Sequence, residues 1–229
     1  MHYFFHPNLS ENIFSLSKDE SKHIAILRKL PKDEVYVTDG KGKLVRAVIL
    51  STTKGCTELN ILEEVIHTPP NNRLHIAIAP TKNIERIEWF VEKSCEIGIH
   101  KISFILCKHS ERKKINMERI EKIIISACKQ SHKTIFPLLS PLTEFKTFVT
   151  QSTEKHKFIA HCYSKPLPHL KATITLEENL ILIGPEGDFS TDEIHLASQL
   201  NYTSVSLGSE RLRTETAGLY VCAIYNLLN

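Results

Sequence analysis

One strand–loop–helix pattern occurs twice near the C-terminus of this 229-residue chain. In IGPEGDFSTDEI (residues 183–194) and in LGSERLRTETAGL (residues 207–219), an apolar strand ends at a glycine-bearing loop that runs into a helix. This order favours a parallel α/β sheet, in which such loops converge at the carboxyl ends of the strands. Three of the eight glycines, Gly184, Gly187 and Gly208, fall at these two strand ends, so the pair of loops predicts one ligand pocket.

The residues of the first copy indicate where its strand, turn and helix begin and end. Residues 180–183 form a short apolar run that is typical of a buried parallel strand. Gly187 is predicted to take the positive φ that closes a tight turn. Ser190, followed three residues later by Glu193, is a capping-box pattern, so a helix is expected over residues 191–200.

The second copy follows the same logic. Residues 203–207 are predicted as a strand, Gly208 as the break, and Thr214 as the N-cap of the last helix. Four apolar residues of that helix fall on one stripe at helical spacing: Ala217, Val221, Ile224 and Leu228. Such a stripe packs either against the protein's own core or against a second subunit, and the pattern alone leaves both open.

The first part of the chain is rich in strand patterns and predicts a small β-barrel over residues 1–68. Its expected elements are strands at 34–38, 44–50 and 58–65, a hairpin turn at 39–42, and a helix at 18–30. HTPPNNR (residues 67–73) has the composition of a linker.

Alternating strand and helix patterns follow and predict one α/β domain over residues 73–229. The expected strands are 74–79, 102–107, 134–138 and 158–161, and the expected helices are 84–97, which ends at Gly98, and 117–130. The first of these strands is followed by no G-x-G-x-x-G, and the chain contains no G-x-x-x-x-G-K-[ST]. A Rossmann cofactor and a nucleoside triphosphate are therefore disfavoured.

Charge and cysteine usage limit the class of protein. The formal net charge of +3 is only mildly basic, and all of the excess lies in residues 71–229. Contact with nucleic acid would then depend on local basic clusters. The six cysteines form no C-x-x-C pair and the twelve histidines show no metal-ligand spacing, so neither a disulfide frame nor a metal site is expected. No signal peptide or membrane-spanning run is visible, which predicts a cytoplasmic protein.

The two C-terminal loops also carry a resemblance to a known family. GPEG with S-x-x-E, followed by LG-x-x-x-LRTETA, closely resembles the C-terminal signature of the RsmE family of small-subunit ribosomal RNA uridine-N3 methyltransferases, in the SPOUT superfamily. The resemblance extends through KNIERIEWFVEKSCEIG, SERKK, ACKQS and HIAILRKLPKDEV, and so covers nearly the whole chain. Three departures are visible: Asp188 and Lys32 stand where the family has glycine, and Ser209–Arg211 replace a pattern with arginine one place earlier.

The resemblance implies a SPOUT-type parallel sheet with a C-terminal trefoil knot, preceded by a small PUA-like β-barrel that binds RNA. It also implies a homodimer that uses S-adenosylmethionine to methylate N3 of a uridine in 16S rRNA of the small ribosomal subunit. The residues expected to hold the cofactor are Ile183, Gly184, Pro185, Glu186, Gly187, Leu207, Gly208, Leu212, Arg213 and Thr214. The loops would offer backbone groups rather than a phosphate cradle, because this cofactor has no pyrophosphate.

Arg213 is the leading candidate for catalysis, since uridine N3 must lose a proton and a nearby cation would stabilise the anionic uracil. Glu186 and Glu215 are expected to assist it, and an equally open interpretation is that Arg213 merely pairs with one of them. RNA is expected to bind at a basic segment and at a patch on the small domain: Lys108, Arg112, Lys113 and Lys114, with Arg28 and Lys29. Two alternatives remain, namely another SPOUT enzyme acting on tRNA or a ribose 2′-hydroxyl, and a non-catalytic RNA-binding or ribosome assembly protein.

Overall fold

The chain divides into two compact units. The computed structural model describes residues 2–53, 55–69, 73–163 and 166–228. The first unit is Met1–Pro69 with Ile125–Phe136, and the second is Pro70–Ile124 with Pro137–Asn229. Part of the predicted linker, residues 70–72, lies outside the described residues. The segment 125–136 of the first unit has no counterpart in the predicted domain boundaries.

A mixed five-stranded sheet forms the first unit. Its elements are β1 (Tyr3–Phe5), β2 (Ile13–Ser15), α1 (Lys18–Ile26), β3 (Glu34–Thr38), β4 (Lys43–Thr53) and β5 (Cys56–Ile66). The strand order is β1-β3-β4-β5-β2, with β1 parallel to β3 and the other pairs antiparallel. One apolar core, which includes Phe4, Ile24, Val37, Ile49 and Leu59, lies beneath it. The three predicted strands are confirmed, while the three-residue strands β1 and β2 are too short to carry a pattern.

Helix α1 ends four residues earlier than predicted, because Arg28 takes a left-handed conformation with φ 55°. The N–H of Arg28 donates to Ala25 O and the N–H of Lys29 donates to Ile24 O, which is the hydrogen-bond pattern of a Schellman motif. Glycine is the usual residue at this position, so the sequence contains no stop signal there. Lys32 also has a positive φ, of 80°.

The predicted strand at 134–138 is wrong. The N–H of Gly42 donates to Thr134 O and the N–H of Phe136 donates to Gly40 O, so these residues pair with the hairpin turn of the first unit. Gly42 has no room for a side chain, since an added Cβ would lie 2.3 Å from His67 O. The strand that joins the second sheet begins only at Leu138, after Pro137.

The second unit contains a six-stranded, wholly parallel sheet. Its strands are β6 (Arg73–Ile78), β7 (Lys101–Leu106), β8 (Leu138–Glu144), β9 (His156–Ala160), β10 (Glu178–Ile183) and β11 (Thr203–Val205). The order is β11-β9-β10-β6-β7-β8. Its helices are α2 (Ile84–Ile97), α4 (Phe145–Gln151), α5 (Thr191–Gln199) and α6 (Thr214–Asn226). Helix α3 (Met117–Gln130) begins in this unit and ends in the segment Ile125–Phe136 of the first. Helices α2 and α3 have the predicted bounds, and α4 was not predicted.

The two faces of this sheet bury different helices, because side chains alternate along each strand. Leu180, Leu182 and Ala77 share a core cluster with residues of α4 and α5. On the other face, Gly218 of α6 lies so close to Ile78 and to Phe90 of α2 that a Cβ at this position would be 2.6 Å from the Phe90 ring.

Three residues of the predicted α6 stripe, Ala217, Val221 and Ile224, are buried within this unit. The stripe therefore forms part of the protein's own core and does not face a second subunit. Leu228, the fourth residue of the stripe, lies beyond the end of the helix and is exposed. None of the helices within the described ranges is both long enough and apolar enough to span a bilayer.

A buried polar network crosses the second sheet. His75 of β6 donates from Nδ1 to Glu154 Oε1 over 2.5 Å, and its Nε2 lies 2.8 Å from Ser103 Oγ on β7. Burial lowers the pKa of His75, which favours the neutral ring with Nε2 accepting from the serine hydroxyl. Burial alone would raise the pKa of Glu154, but hydrogen bonds from His75 and from the backbone, with a smaller contribution from the charge of Lys101, lower it to about 2.

Glu154 should therefore make stability fall in acid. Its pKa drops from 4.5 in the unfolded chain to about 2 in the folded one, so its contribution is present above pH 4.5 and is lost as the pH falls towards 2. We expect Glu154→Gln to cost on the order of 2 kcal/mol at neutral pH and to flatten this part of the pH profile. Urea denaturation between neutral pH and pH 3 measures both effects.

Glu121→Gln on the exposed surface of α3 is the matched control, because Glu121 forms no hydrogen bond or ion pair with the residues described here. The free energy of unfolding of Glu121→Gln should change with pH as that of the wild type does. If the unfolding free energies of Glu154→Gln and the wild type change with pH in parallel, the proposed role of Glu154 is contradicted.

Candidate functional site

Three adjacent strands of the second sheet end at one level. In the ladder register Ile183, the last residue of β10, pairs with Ala160, the last residue of β9. Ala160 also pairs with Val205, the last residue of β11. Because the strands are parallel, the loops that follow all three leave the sheet at the same edge. These loops enclose a cavity of about 850 Å³, within the range of roughly 300–1,000 Å³ that is usual for small-molecule sites.

All ten residues that were predicted to hold the cofactor line this cavity. The structure thus brings the two sequence copies together, as the convergence of strand-end loops predicts. A third wall, absent from the predicted site, follows β9 and is formed by His161, Cys162, Tyr163, Pro166 and Leu167. The signal was available, because the predicted strand at 158–161 belongs to the same sheet and its end obeys the same rule.

The loop after β10 closes differently from the prediction. Asp188, not Gly187, has the positive φ, of 62°, and the N–H of Asp188 donates to Pro185 O over 2.9 Å. The predicted positive φ of Gly187 is therefore wrong. Gly187 is needed for space instead, because an added Cβ would lie 3.0 Å from the Cβ of His109. The predicted capping box of α5, formed by Ser190 and Glu193, is confirmed.

The loop after β11 begins two residues earlier than predicted. Ser206 leaves the strand, and its N–H donates to Pro168 O. Gly208 has a φ of 124°, as expected for the break. Arg213, not Thr214, is the N-cap residue of α6. Thr214 Oγ1 instead donates to Gly184 O over 3.0 Å and joins the two loops directly.

Arg213 forms no ion pair with any residue in the described part of the chain. The carboxylate of Glu186 accepts from the backbone N–H of Lys82 over 2.9 Å. Glu215 is buried, lies outside the set of cavity-lining residues, and approaches Arg86 at 3.8 Å with one oxygen unpartnered. The interpretation that Arg213 is held by one of these carboxylates finds no support in this arrangement. Its exposed guanidinium is available at the cavity wall.

His161 is a buried titratable side chain in the third wall. Its Nδ1 accepts from the backbone N–H of Tyr163 over 3.3 Å, and its Nε2 has no hydrogen-bond partner among the described residues. Burial lowers its pKa, against the opposing charge of Asp188. The ring is therefore neutral at physiological pH, with its proton on Nε2.

The predicted RNA-binding residues have different surroundings. Arg112 is half-buried and donates to Thr81 O over 3.0 Å and to Lys82 O over 2.6 Å, so its guanidinium holds a loop of the second unit. Lys108 pairs with Asp192 at 3.3 Å. Lys113 and Lys114 are exposed and form no ion pair within the described ranges. In the first unit, Arg28 is exposed and Lys29 is half-buried.

A second, more open cavity of about 530 Å³ lies at the ends of β7 and β8. Its walls carry charges of both signs, including Lys108, Lys113, Glu144 and Glu193. Within the ranges that the structure describes, no group of three or more His, Cys, Asp or Glu side chains could hold a metal ion.

Comparison with known proteins agrees with this architecture. Residues 68–226 match the model of the RNA methyltransferase domain family. A probable rRNA-methyltransferase from Porphyromonas gingivalis is 36% identical over the whole chain and 98% of its own length, with a TM-score of 0.93. The ribosomal RNA small subunit methyltransferase E of Neisseria gonorrhoeae, solved with bound S-adenosyl methionine, is 25% identical over 100% of this chain and 98% of its own, with a TM-score of 0.88.

A curated relative of the same name from Mesomycoplasma hyopneumoniae is 26% identical over 96% of this chain and 97% of its own. The matches span both units, and the domain match includes all three loops that enclose the larger cavity. The chain therefore belongs to the RNA methyltransferase family and, within it, to the RsmE family of small-subunit ribosomal RNA methyltransferases.

Proposed function

We propose that the protein binds S-adenosylmethionine in the cavity at the ends of β9, β10 and β11 and methylates N3 of a uridine in 16S rRNA. The observation that carries the proposal is the convergence of the ten predicted cofactor residues on one cavity of suitable size. The Neisseria gonorrhoeae relative, which was crystallised with S-adenosyl methionine, supports the choice of ligand. We further propose that the protein works in the cytoplasm and recognises its RNA within the small ribosomal subunit.

The residues of the cavity fit this cofactor. Backbone N–H and C=O groups of the loops at 184–188 and 206–213 suit an adenine and a ribose, and apolar side chains such as Ile183 and Leu212 suit the flat ring. Three acidic residues, Glu186, Asp188 and Glu210, also line the cavity, and a carboxylate suits a cationic sulfonium. When bound, the cofactor supplies the methyl group.

Arg213 has the position and the charge for the chemical step. Uridine N3 carries a proton that must leave before the nitrogen can act as a nucleophile, and the uracil becomes anionic as it leaves. A cation fixed next to the base stabilises that anion. Arg213, at the N-terminus of α6, is an exposed cation that no carboxylate neutralises among the described residues. Glu186 acts indirectly, because its carboxylate fixes the loop at Lys82. Alignment of the two substrates by the rigid loops supplies much of the remaining rate.

We propose that the finer features of the fold follow the SPOUT superfamily. These features are a trefoil knot in the C-terminal third and closure of the first unit into a PUA-like barrel that binds RNA. The parallel order β11-β9-β10-β6 supports the first, and the mixed five-stranded sheet supports the second.

A homodimer is also part of the proposal. Leu227 is 86% exposed after α6, and Tyr220 of α6 and Trp89 of the neighbouring α2 are also exposed. Apolar groups of this kind on two packed helices suit a surface that a second copy covers. Analytical ultracentrifugation tests this, and a monomer at micromolar concentration contradicts it.

The cofactor assignment can be tested by thiol protection. Cys162 is exposed and lines the cavity, while Cys56 is exposed on β5 in the first unit. Saturating S-adenosylmethionine should slow the alkylation of Cys162 by iodoacetamide and leave that of Cys56 unchanged, as mass spectrometry of tryptic peptides would show. An unchanged rate at Cys162, with calorimetry showing no binding, would overturn the proposal.

Arg213→Ala should separate binding from chemistry. We expect S-adenosylmethionine affinity to stay within about 3-fold, because backbone groups carry most of the contacts, while methylation of small subunits falls by about 100-fold or more. Arg213→Lys keeps the positive charge and should retain more activity than the alanine variant. Nucleoside mass spectrometry of the product identifies the methylated atom. Near-normal turnover of Arg213→Ala would remove this residue from the mechanism, and ribose methylation would contradict the N3 assignment.

The test of RNA binding should leave Arg112 unchanged, because its guanidinium donates a hydrogen bond to Thr81 O and so stabilises a loop. Reversal of Lys113 and Lys114 to glutamate should weaken RNA binding and reduce its salt dependence, because fewer phosphate counterions are released. Reversal of Lys122 and Lys171, which are also exposed, changes the net charge equally and should have a smaller effect. Filter binding over a salt series measures both slopes. Equal losses in the two double variants would show a general charge effect and no specific patch.

A further inference from the structure

Asp188 has a backbone conformation, with φ 62°, that residues other than glycine rarely adopt. Aspartate tolerates this region because its short carboxylate can form hydrogen bonds locally. Here Oδ1 accepts from the N–H of Phe189 over 2.8 Å. One oxygen thus stabilises the turn after β10 from within.

The other oxygen of the same carboxylate reaches a different wall of the cavity. Asp188 Oδ2 accepts from the N–H of Cys162 over 2.9 Å. Cys162 is the second residue after the end of β9, next to His161. The Asp188 carboxylate therefore links the loop after β10 to the loop after β9, and both loops line the cavity.

Both hydrogen bonds of this carboxylate come from neutral backbone N–H groups, and Asp188 forms no ion pair within the part of the chain that the structure describes. The other two carboxylates of the cavity wall, Glu186 and Glu210, are exposed, whereas Asp188 is half-buried. A charge that is partly removed from water acts more strongly on its surroundings than an exposed one.

We propose that Asp188 determines specificity in this cavity by favouring a cationic sulfonium ligand over its neutral thioether product. The inference rests on the proposed function, since methyl transfer moves CH₃ from the sulfonium to N3, releases the N3 proton, and leaves an uncharged thioether. The two ligands differ by that methyl group and by one positive charge. A fixed, partly desolvated carboxylate attracts the cationic sulfonium and has no such attraction for the neutral thioether. The product would therefore bind more weakly than the cofactor and leave more readily.

If Asp188 has this role, its substitution should change the ratio of the dissociation constants for the sulfonium and thioether ligands, and not merely one of the two affinities. Isothermal titration calorimetry with S-adenosylmethionine and S-adenosylhomocysteine gives the two dissociation constants for each variant. Asp188→Asn keeps the shape and one acceptor oxygen but removes the charge, and Asp188→Gly keeps the backbone conformation but removes the whole side chain. In both, we expect the preference for the sulfonium ligand over the thioether to fall by roughly 3- to 10-fold.

Asp192→Asn is the matched control. Asp192 is four residues further on, its side chain is 84% exposed, and it lies outside the larger cavity. Its ligand ratio should equal that of the wild type. An unchanged ratio in Asp188→Asn and Asp188→Gly, even with both affinities reduced together, would reduce Asp188 to a structural link and overturn the inference. A ratio that falls equally in Asp192→Asn would overturn it as a general charge effect.

The wild-type titration separates this failure from that of the proposed function. If the wild type binds neither ligand, the cofactor assignment is wrong and the inference falls with it. If the wild type binds both ligands and only the variant ratios fail to change, the proposed function stands and the role of Asp188 alone is refuted.

Discussion

The site depends on the register of three parallel strands. Because β9, β10 and β11 end at paired residues, their loops begin at one level, and a single cavity forms where each loop alone would be an ordinary turn. The hydrogen bond from Thr214 to Gly184 holds the loops after β11 and β10 together. Asp188 joins the loop after β10 to the loop after β9 at Cys162. The cavity is thus built from the ends of a buried sheet, which gives its loops a rigid base.

The same edge also connects the proposed cofactor site to the basic segment. Lys82, in the loop between β6 and α2, donates its N–H to Glu186 and accepts at its carbonyl oxygen from Arg112. One backbone position therefore contacts both the loop after β10 and the loop after β7. Through these contacts Glu186 and Arg112 stabilise local structure, while Lys113, Lys114 and Arg213 are exposed. Charge alone therefore could not separate structural residues from candidates for RNA binding.

Much of the second unit could be predicted from the sequence, because strong local signals decide it. Asn83 and Gly98 bound α2 as a cap and a left-handed stop, and the capping box fixes the start of α5. The apolar run of β10 is buried on both faces and has no competing interpretation. The resemblance in the C-terminal loops identified the family and the residues that line the cavity.

The failures came where the decisive contact is distant in sequence or where an unusual residue takes a special backbone conformation. Asp188 and Arg28 have positive φ, yet neither residue type announces it as glycine does. Residues 134–136 pair with a hairpin about ninety positions earlier, a contact that no local pattern contains. The pairing of Glu215 with Arg86 likewise depends on which elements become neighbours in space.

Hydrogen–deuterium exchange with and without S-adenosylmethionine reports on all three loops in one experiment. We predict slower exchange in peptides that cover residues 161–163, 184–189 and 206–213, and no change in the hairpin turn at residues 39–42. Protection confined to the smaller cavity at the ends of β7 and β8, or protection in only one of the three loops, would contradict a site formed by their convergence.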